Sequence, residues 1–234
     1  MKKIIAGNFK MNKSLKECEE YIKAFNSYLV PDDKFVIMCP PIFAVDMFSK
    51  NKNFSVGGQN VSAMDNGAYT GEISAKQLAS LNAKYCLVGH SERREFFQET
   101  SNIVVQKIKQ LQKENIIPII CVGEKLHQVE VREEFLQKQL LDALHGYDGD
   151  FIVAYEPVWA IGTGKTCSLE DIKAVLSFIK KTIKSITKKS IPVLYGGSVK
   201  PENAKEILSL DEVDGVLVGG ACLNADSFKK IIEA

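Results

Sequence analysis

One segment of the sequence combines a candidate general base with a candidate lid. The apolar run Phe151–Tyr155 ends at Glu156, and a loop follows that starts with proline and ends in Gly-Thr-Gly. A near-continuous apolar run predicts a strand buried on both faces, so Glu156 is predicted to lie where a buried strand meets a loop. Burial there would raise the pKa of its carboxyl group and make the ionised form a stronger base. An ordinary strand end with a solvated glutamate and a glycine-rich turn is the alternative interpretation.

Polar and glycine-rich segments also follow other apolar runs. They are Asn8 with Lys10, Gly89-His90-Ser91-Glu92-Arg93, Tyr195-Gly196-Gly197-Ser198 and Gly219-Gly220. Each has an ordinary explanation by itself, as a surface charge, a structural histidine or a tight turn. Together they would place a cation, an acid–base group and a carboxylate beside two glycine loops. Because backbone N–H groups of such loops can approach an anion closely, the set predicts an active site that binds phosphate.

The elements that would position these residues alternate along the whole chain. The apolar runs are Ile4–Phe9, Phe35–Cys39, Phe54–Gly58, Tyr85–Gly89, Ile116–Val122, Phe151–Tyr155, Ile191–Tyr195 and Gly215–Val218. Amphipathic stretches lie between them. The clearest carries apolar residues on one helical face at 172, 175, 176, 179, 183 and 186, with Ser168 and Asp171 as its start signal. Strict strand–helix alternation predicts an α/β fold with a parallel sheet.

Eight such units without a linker favour one closed (β/α)8 barrel that covers residues 1–234 as a single catalytic domain. An open, doubly wound sheet is the alternative, because the pattern of runs does not show closure. In a barrel of this type the active site lies at the carboxyl ends of the strands. Phosphate binds there after the seventh and eighth strands, which is where the two glycine pairs occur.

Composition narrows the class of protein. The chain has 234 residues, 45% of them hydrophobic, and 30 basic residues balance 29 acidic ones to a net charge of +1. This balance indicates neither a nucleic-acid nor a membrane partner. The amino-terminal apolar run is too short for a signal peptide, and no stretch reaches transmembrane length. Six scattered cysteines without a Cys-x-x-Cys pair predict reduced thiols, no metal site and a cytoplasmic location.

A nucleotide-binding loop is a competing interpretation of Gly164-Lys165-Thr166. That motif also requires a glycine at the position that Trp159 occupies, so the sequence does not fit it.

Recognisable motifs are spread along the whole chain. They are Gly7-Asn8-Phe9-Lys10-Met11-Asn12, Gln59-Asn60, Gly67-Ala68-Tyr69-Thr70-Gly71-Glu72, Gly89-His90-Ser91-Glu92-Arg93-Arg94, Cys121-Val122-Gly123-Glu124, the segment from Tyr155 to Thr166, Tyr195-Gly196-Gly197-Ser198-Val199 and Leu217-Val218-Gly219-Gly220-Ala221. This set resembles the motifs of the triosephosphate isomerase family. They occur in the order of the family, and the segment around Glu156 is the most specific. The resemblance implies an isomerase of glycolysis and gluconeogenesis. Such an enzyme interconverts dihydroxyacetone phosphate and D-glyceraldehyde 3-phosphate through an enediolate, without cofactor or metal.

The resemblance also implies catalytic roles, including the division between a carboxylate base and a neutral histidine for which the family is known. Glu156 matches the base, and His90 matches the electrophile that polarises the carbonyl group. Lys10 matches the cation that holds the substrate, and Asn8 matches its hydrogen-bonding neighbour. Glu92 matches a carboxylate beside Lys10.

The resemblance also implies which residues bind the phosphate and which form a lid. The family holds the substrate with the equivalents of Asn8 and Lys10 and binds its phosphate with the equivalents of Gly162, Ser198, Gly219 and Gly220. It closes the equivalents of Ile161 and Leu217 over the base. The expected lid comprises Pro157, Val158, Trp159, Ala160, Ile161, Gly162, Thr163, Gly164 and Lys165.

The long loop from Val61 to Ile73 is expected to contact a second copy of the chain in a homodimer, with Thr70 and Glu72 at the contact. A mobile surface loop is the alternative. The sequence departs from the family at Phe9, Ser101 and Cys167, and none of these is expected to touch the chemistry.

Two other functional classes stay open. They are a phosphate-binding barrel with different chemistry and a non-catalytic scaffold. The joint presence of Lys10, His90 and Glu156 disfavours both.

Overall fold

The computed structural model describes residues 2–161 and 167–234. Eight parallel strands form its centre: β1 Lys3–Asn8, β2 Lys34–Cys39, β3 Ser55–Gly58, β4 Tyr85–Val88, β5 Ile117–Val122, β6 Ile152–Tyr155, β7 Val193–Tyr195 and β8 Gly215–Val218. Each strand pairs with the next along the chain, and β8 pairs with β1 from Ile4↔Gly215 to Gly7↔Val218. This last ladder closes the sheet, so the predicted (β/α)8 barrel is confirmed and the open sheet is excluded.

The α-helices of the described part surround the barrel. They are α1 Leu15–Lys23, α2 Val45–Ser49, α3 Ala75–Ser80, α4 Ser91–Phe96, α5 Ser101–Lys113, α6 Arg132–Leu144, α7 Leu169–Thr187, α8 Pro201–Leu208 and α9 Ala225–Ile232. Short 3₁₀ helices occupy Ile42–Ala44, Leu126–Val131, Val158–Ala160 and Gly220–Leu223. The predicted start of α7 is confirmed, because the Ser168 side chain accepts a hydrogen bond from the Asp171 N–H. Its predicted apolar stripe is buried from Ile172 to Ile183.

The strands have two buried faces, as the continuous apolar runs predicted. Alternate side chains point inward or outward, so Ile4 and Ala6 belong to the barrel interior while Ile5 packs under the helices. The predicted strand boundaries are correct to within one or two residues. At β7 the strand begins at Val193 rather than Ile191, which fits the lack of an N–H donor on Pro192.

Among the described residues, no helix has the length and apolar character needed to cross a membrane. All six cysteines are buried as free thiols.

Candidate active site

Glu156 lies directly after β6 with only 2% of its surface exposed. Its backbone N–H donates to the Val122 carbonyl oxygen at 2.7 Å, which holds it against the end of β5. The carboxylate has two partners from the region after β4. Oε1 lies 3.0 Å from Nε2 of His90, and Oε2 accepts the backbone N–H of Ser91 at 3.0 Å. The solvated glutamate of the alternative interpretation is therefore excluded.

The predicted direction of the Glu156 pKa shift is wrong. Burial does raise the pKa, but the opposing effects of His90, the Ser91 N–H group and Lys10 outweigh it, so the pKa lies below its usual range. The prediction considered desolvation alone, and the donors that reverse the direction come from other parts of the chain.

His90 is buried and forms the N-cap of α4. Its Nδ1 accepts the backbone N–H of Glu92 at 3.2 Å, which favours the neutral imidazole with its proton on Nε2. That Nε2–H group then donates to Glu156. Burial is the largest single influence and lowers the pKa of His90, but the charge and the hydrogen bond of Glu156 together with the charge of Glu92 outweigh it, so the net direction is upward. Removal of the Glu156 carboxylate from this position would leave burial as the largest influence, which favours the neutral ring.

Lys10 follows β1 in a left-handed backbone conformation with a φ of 53°. Such a conformation is unfavourable for lysine, and the Lys10 N–H is held by Oδ1 of Asn8 at 2.9 Å. At the other end of the side chain, Nζ lies 2.5 Å from Oε1 of Glu92. A Cβ atom at Gly219 would lie 3.3 Å from Cε of Lys10, so the loop after β8 passes directly beside the ammonium stem.

These residues surround one cleft of about 820 Å³ at the carboxyl end of the barrel. The predicted residues that line it are Asn8, Lys10, His90, Glu156, Ile161, Ser198, Leu217, Gly219 and Gly220. Glu92 does not line the cleft and contacts Lys10 from outside it. Gly162, also expected to bind phosphate, lies outside the described residues.

The described part of the expected lid is Pro157 to Ile161, and Gly162 to Lys165 lie outside the described residues. Trp159 donates from its indole nitrogen to Oε1 of Glu124 at 3.0 Å, and Tyr155 donates to the same oxygen at 2.9 Å. Glu124 is fully buried and also accepts the Val158 N–H on its carbonyl oxygen. It thus anchors the start of the lid to the end of β5, a role that the sequence did not indicate.

Sequence reasoning also missed two residues behind Glu156. A Cβ atom at Gly123 would lie 1.7 Å from the Glu156 carbonyl oxygen, so only glycine fits there. Gln139 of α6 accepts the Gly123 N–H at 2.9 Å and donates to its carbonyl oxygen at 3.4 Å. The one available signal was a glutamine at a position where the α6 pattern faces the barrel.

Thr70 and Glu72 lie away from the cleft, in the exposed loop from Val61 to Ile73. The base of this loop is closed by the Ser62 N–H, which donates to the Ile73 carbonyl oxygen at 2.7 Å. Exposed apolar side chains follow each of the four adjacent strands β1 to β4. They are Met11, Phe43, Met64, Tyr69, Phe96 and Phe97.

Within the described ranges, no group of three or more His, Cys, Asp or Glu side chains is placed to hold a metal ion. The chemistry available to the cleft is acid–base transfer beside a cation and backbone donors.

Comparison with known proteins gives one consistent family. A family model described as triosephosphate isomerase matches residues 3–234. A protein from Gloeobacter violaceus is 42% identical, and the match covers 99% of this chain and 98% of that protein. Proteins from Mesomycoplasma hyorhinis and Alkaliphilus metalliredigens are 44% and 43% identical, respectively. Both matches cover 99% of this chain and 98% of the relative. All three relatives carry the name triosephosphate isomerase.

Proposed function

The chain belongs to the triosephosphate isomerase family, an isomerase family of glycolysis, and from this premise we propose how its own residues carry the reaction. The proposed reaction interconverts dihydroxyacetone phosphate and D-glyceraldehyde 3-phosphate through an enediolate. The observation that supports it best is the convergence of the Glu156 carboxylate, the His90 Nε2 atom and the Lys10 side chain on one cleft.

In the first step, Glu156 removes a proton from the carbon next to the carbonyl group of the substrate. The electron pair of that C–H bond forms the carbon–carbon double bond, and the carbonyl oxygen takes up the negative charge. His90 donates its Nε2 hydrogen bond to that oxygen, and Lys10 offsets the charge. Glu156 then returns the proton to the neighbouring carbon, and His90 moves the hydroxyl proton between the two oxygens.

Charge stabilisation and proton transfer account for the proposed rate enhancement. A preorganised donor in a site without water typically contributes about 10²–10³ in rate, which is the contribution proposed for His90 and for Lys10. A positioned carboxylate base contributes about 10²–10⁴. The side chain of Glu156 already lies within hydrogen-bond distance of His90, so substrate entry exchanges that contact for the substrate carbon and oxygen.

The phosphate group is proposed to bind at the loops after β7 and β8, through Ser198, Gly219 and Gly220. Support comes from their position on the cleft and from the beginning of a 3₁₀ helix at Gly220. Gly162 and the lid from Pro157 to Lys165 are proposed to close over the bound phosphate. Because the phosphate is remote from the reacting carbons, its binding energy can drive that closure.

We also propose a homodimer in which the loop from Val61 to Ile73 contacts the second copy through Thr70 and Glu72. The row of exposed apolar side chains after β1 to β4 supports this, since large exposed apolar patches commonly mark interfaces. Residues 1–234 are proposed to form a single catalytic domain. Six buried thiols support a reducing, cytoplasmic location.

A coupled isomerase assay on the wild type, Glu156→Gln and His90→Gln tests the proposed roles. We expect turnover by the wild type and losses of at least about 10²-fold in both variants. Calorimetric binding of 2-phosphoglycolate by each variant serves as the control for an intact cleft. Near-normal turnover in either folded variant would contradict the assignment of that residue.

A further inference from the structure

Helix α4 carries groups on which the proposed site depends, yet apolar packing does not hold it. Its first turn supplies the Ser91 N–H to Glu156 and the Glu92 N–H to His90. The helix has only six residues, and none of them is buried. Helices this short are marginal without tertiary contacts, so side-chain hydrogen bonds must fix its position.

Arg94 connects α4 to backbone carbonyl groups at the ends of β4 and β5. Its Nε–H donates to the Gly89 carbonyl oxygen at 2.7 Å, and Nη2 donates to the Cys121 carbonyl oxygen at 3.3 Å. The first acceptor belongs to the residue directly before His90, and the second belongs to β5. One guanidinium group therefore spans the ends of two neighbouring strands.

Gly89 is the point where this contact acts on His90. The chain leaves β4 there with a φ of 70°, and a Cβ atom would lie 2.7 Å from Nη2 of Arg94. The Gly89 N–H is held by Oε1 of Glu99 at 2.8 Å, and Arg94 holds the carbonyl oxygen. These two hydrogen bonds hold the peptide groups on both sides of Gly89, the second of which leads directly into His90, so they fix the direction in which the chain enters His90.

The second acceptor connects Arg94 to the base. The Cys121 carbonyl oxygen belongs to β5, and the next residue of that strand, Val122, accepts the Glu156 N–H at 2.7 Å. Arg94 also lines a small cavity together with Glu156 and Ser91. The guanidinium thus supports both halves of the His90–Glu156 pair without lining the substrate cleft.

We propose that Arg94 is a positioning residue, which keeps the Nδ1 atom of His90 under the Glu92 N–H and so keeps the ring in the neutral form with its proton on Nε2. A lysine at this position retains the charge but offers a single ammonium in place of the planar fork, so it cannot hold both carbonyl groups in the same geometry. This inference rests on the proposed function, because it gives the purpose of the neutral ring.

The test compares Arg94→Lys with Glu95→Gln as the matched control. Glu95 lies on the same helix and forms a surface ion pair with Lys125. We expect kcat of Arg94→Lys to fall about 10²-fold, because a displacement near 1 Å has an effect of that order. Binding of 2-phosphoglycolate by the lysine variant and kcat of the control should stay close to wild type.

A spectroscopic readout separates positioning from general structural support. The chain has three histidines, and His127 and His145 are exposed, so ¹⁵N NMR of labelled histidine resolves His90. At a pH above the folded-state pKa of His90, we expect a single neutral tautomer protonated on Nε2 in the wild type and a mixture of neutral tautomers in Arg94→Lys. A fall in kcat with an unchanged tautomer would overturn the proposal, and so would an unchanged kcat.

Chemical rescue gives an independent result with Arg94→Ala. Added methylguanidinium, at concentrations far below those that unfold proteins, should restore both kcat and the single tautomer. If neither variant folds, the rate of hydrogen exchange between the Arg94 Nε–H and solvent, measured by NMR in the wild type, tests the proposal. Exchange as fast as that of free arginine would overturn the proposal, and slower exchange would support it. The NMR results need no substrate, so they are independent of failure of the proposed reaction.

Discussion

The contact between Gly123 and Glu156 yields a quantitative prediction for Gly123→Ala. The new Cβ atom would lie 1.7 Å from the Glu156 carbonyl oxygen, whereas real Cβ contacts do not come closer than 3.0 Å. The difference of 1.3 Å must be taken up by movement of one of the two segments. Gln139 holds both the N–H and the carbonyl group of Gly123, so Gly123 cannot retreat without losing those hydrogen bonds. We therefore expect the backbone at Glu156 to move.

Two effects follow from that movement. Overpacking of this kind destabilises a protein by about 1–3 kcal/mol, which lowers Tm by about 2–4 °C per kcal/mol at this chain length. A base displaced by about 1 Å loses about 10² in rate, so kcat should fall about 100-fold. Stopped assays of purified variant with saturating substrate give kcat, and calorimetric unfolding gives Tm.

Gly215→Ala is the matched control for steric strain. Its Cβ atom would lie 1.9 Å from the Ile4 carbonyl oxygen, but this contact is at the opposite end of the barrel from the cleft. Neither glycine has a backbone conformation that alanine avoids, so both substitutions test the contact alone. We expect a similar loss of Tm and little change in kcat. Equal kcat values for the two folded variants would refute the argument that the contact at Gly123 places the base.

Three further predictions concern charge and assembly. In Glu156→Gln, NMR titration should show a lower His90 pKa than in the wild type, because burial then acts against Glu92 alone, without the Glu156 carboxylate that raises the pKa. In the wild type, the raised His90 pKa contributes to the free energy of unfolding. That contribution is fully present below pH 6.5 and is lost as the pH rises through the folded-state pKa. An unchanged His90 pKa in Glu156→Gln would contradict the assigned influence of the carboxylate. Lys10→Met should lower kcat/KM by about 10²–10³ with Tm retained, and a retained kcat/KM would remove Lys10 from the mechanism. Tyr69→Asp should shift sedimentation from dimer to monomer, whereas a wild type that sediments as an active monomer would exclude the proposed interface.

The strands could be predicted from sequence because each buries side chains on both faces of the sheet and is therefore a continuous apolar run. Closure was predicted only from the number of units, since it depends on the ladder between the first and last strands, and no local pattern specifies a pair so distant along the chain. The candidate residues were found because they follow the strands, and a parallel barrel brings all such positions to one edge. Asn8 and Lys10 illustrate this: both line the cleft, although Lys10 has already left the strand with a positive φ.

The contacts that tune the site were not visible in the sequence. Arg94, Gly123 and Gln139 act through backbone groups of other elements, so their residue types alone carry no signal for that role. The pKa of Glu156 is the clearest case. The run of apolar residues predicts burial correctly, but the direction of the shift is set by donors from residues 90 and 91, about 65 positions away.

That reversal has a consequence for the proposed reaction. The donors that lower the Glu156 pKa are the Ser91 N–H and the His90 Nε2–H, and the proposed mechanism assigns the latter to the substrate oxygen. When substrate takes the His90 hydrogen bond and the carboxylate turns to the carbon, burial becomes the main remaining influence and raises the pKa. The carboxylate would therefore become a stronger base only in the complex. The contact that keeps Glu156 weakly basic in the free protein would be broken by the same event that brings the substrate proton within its reach.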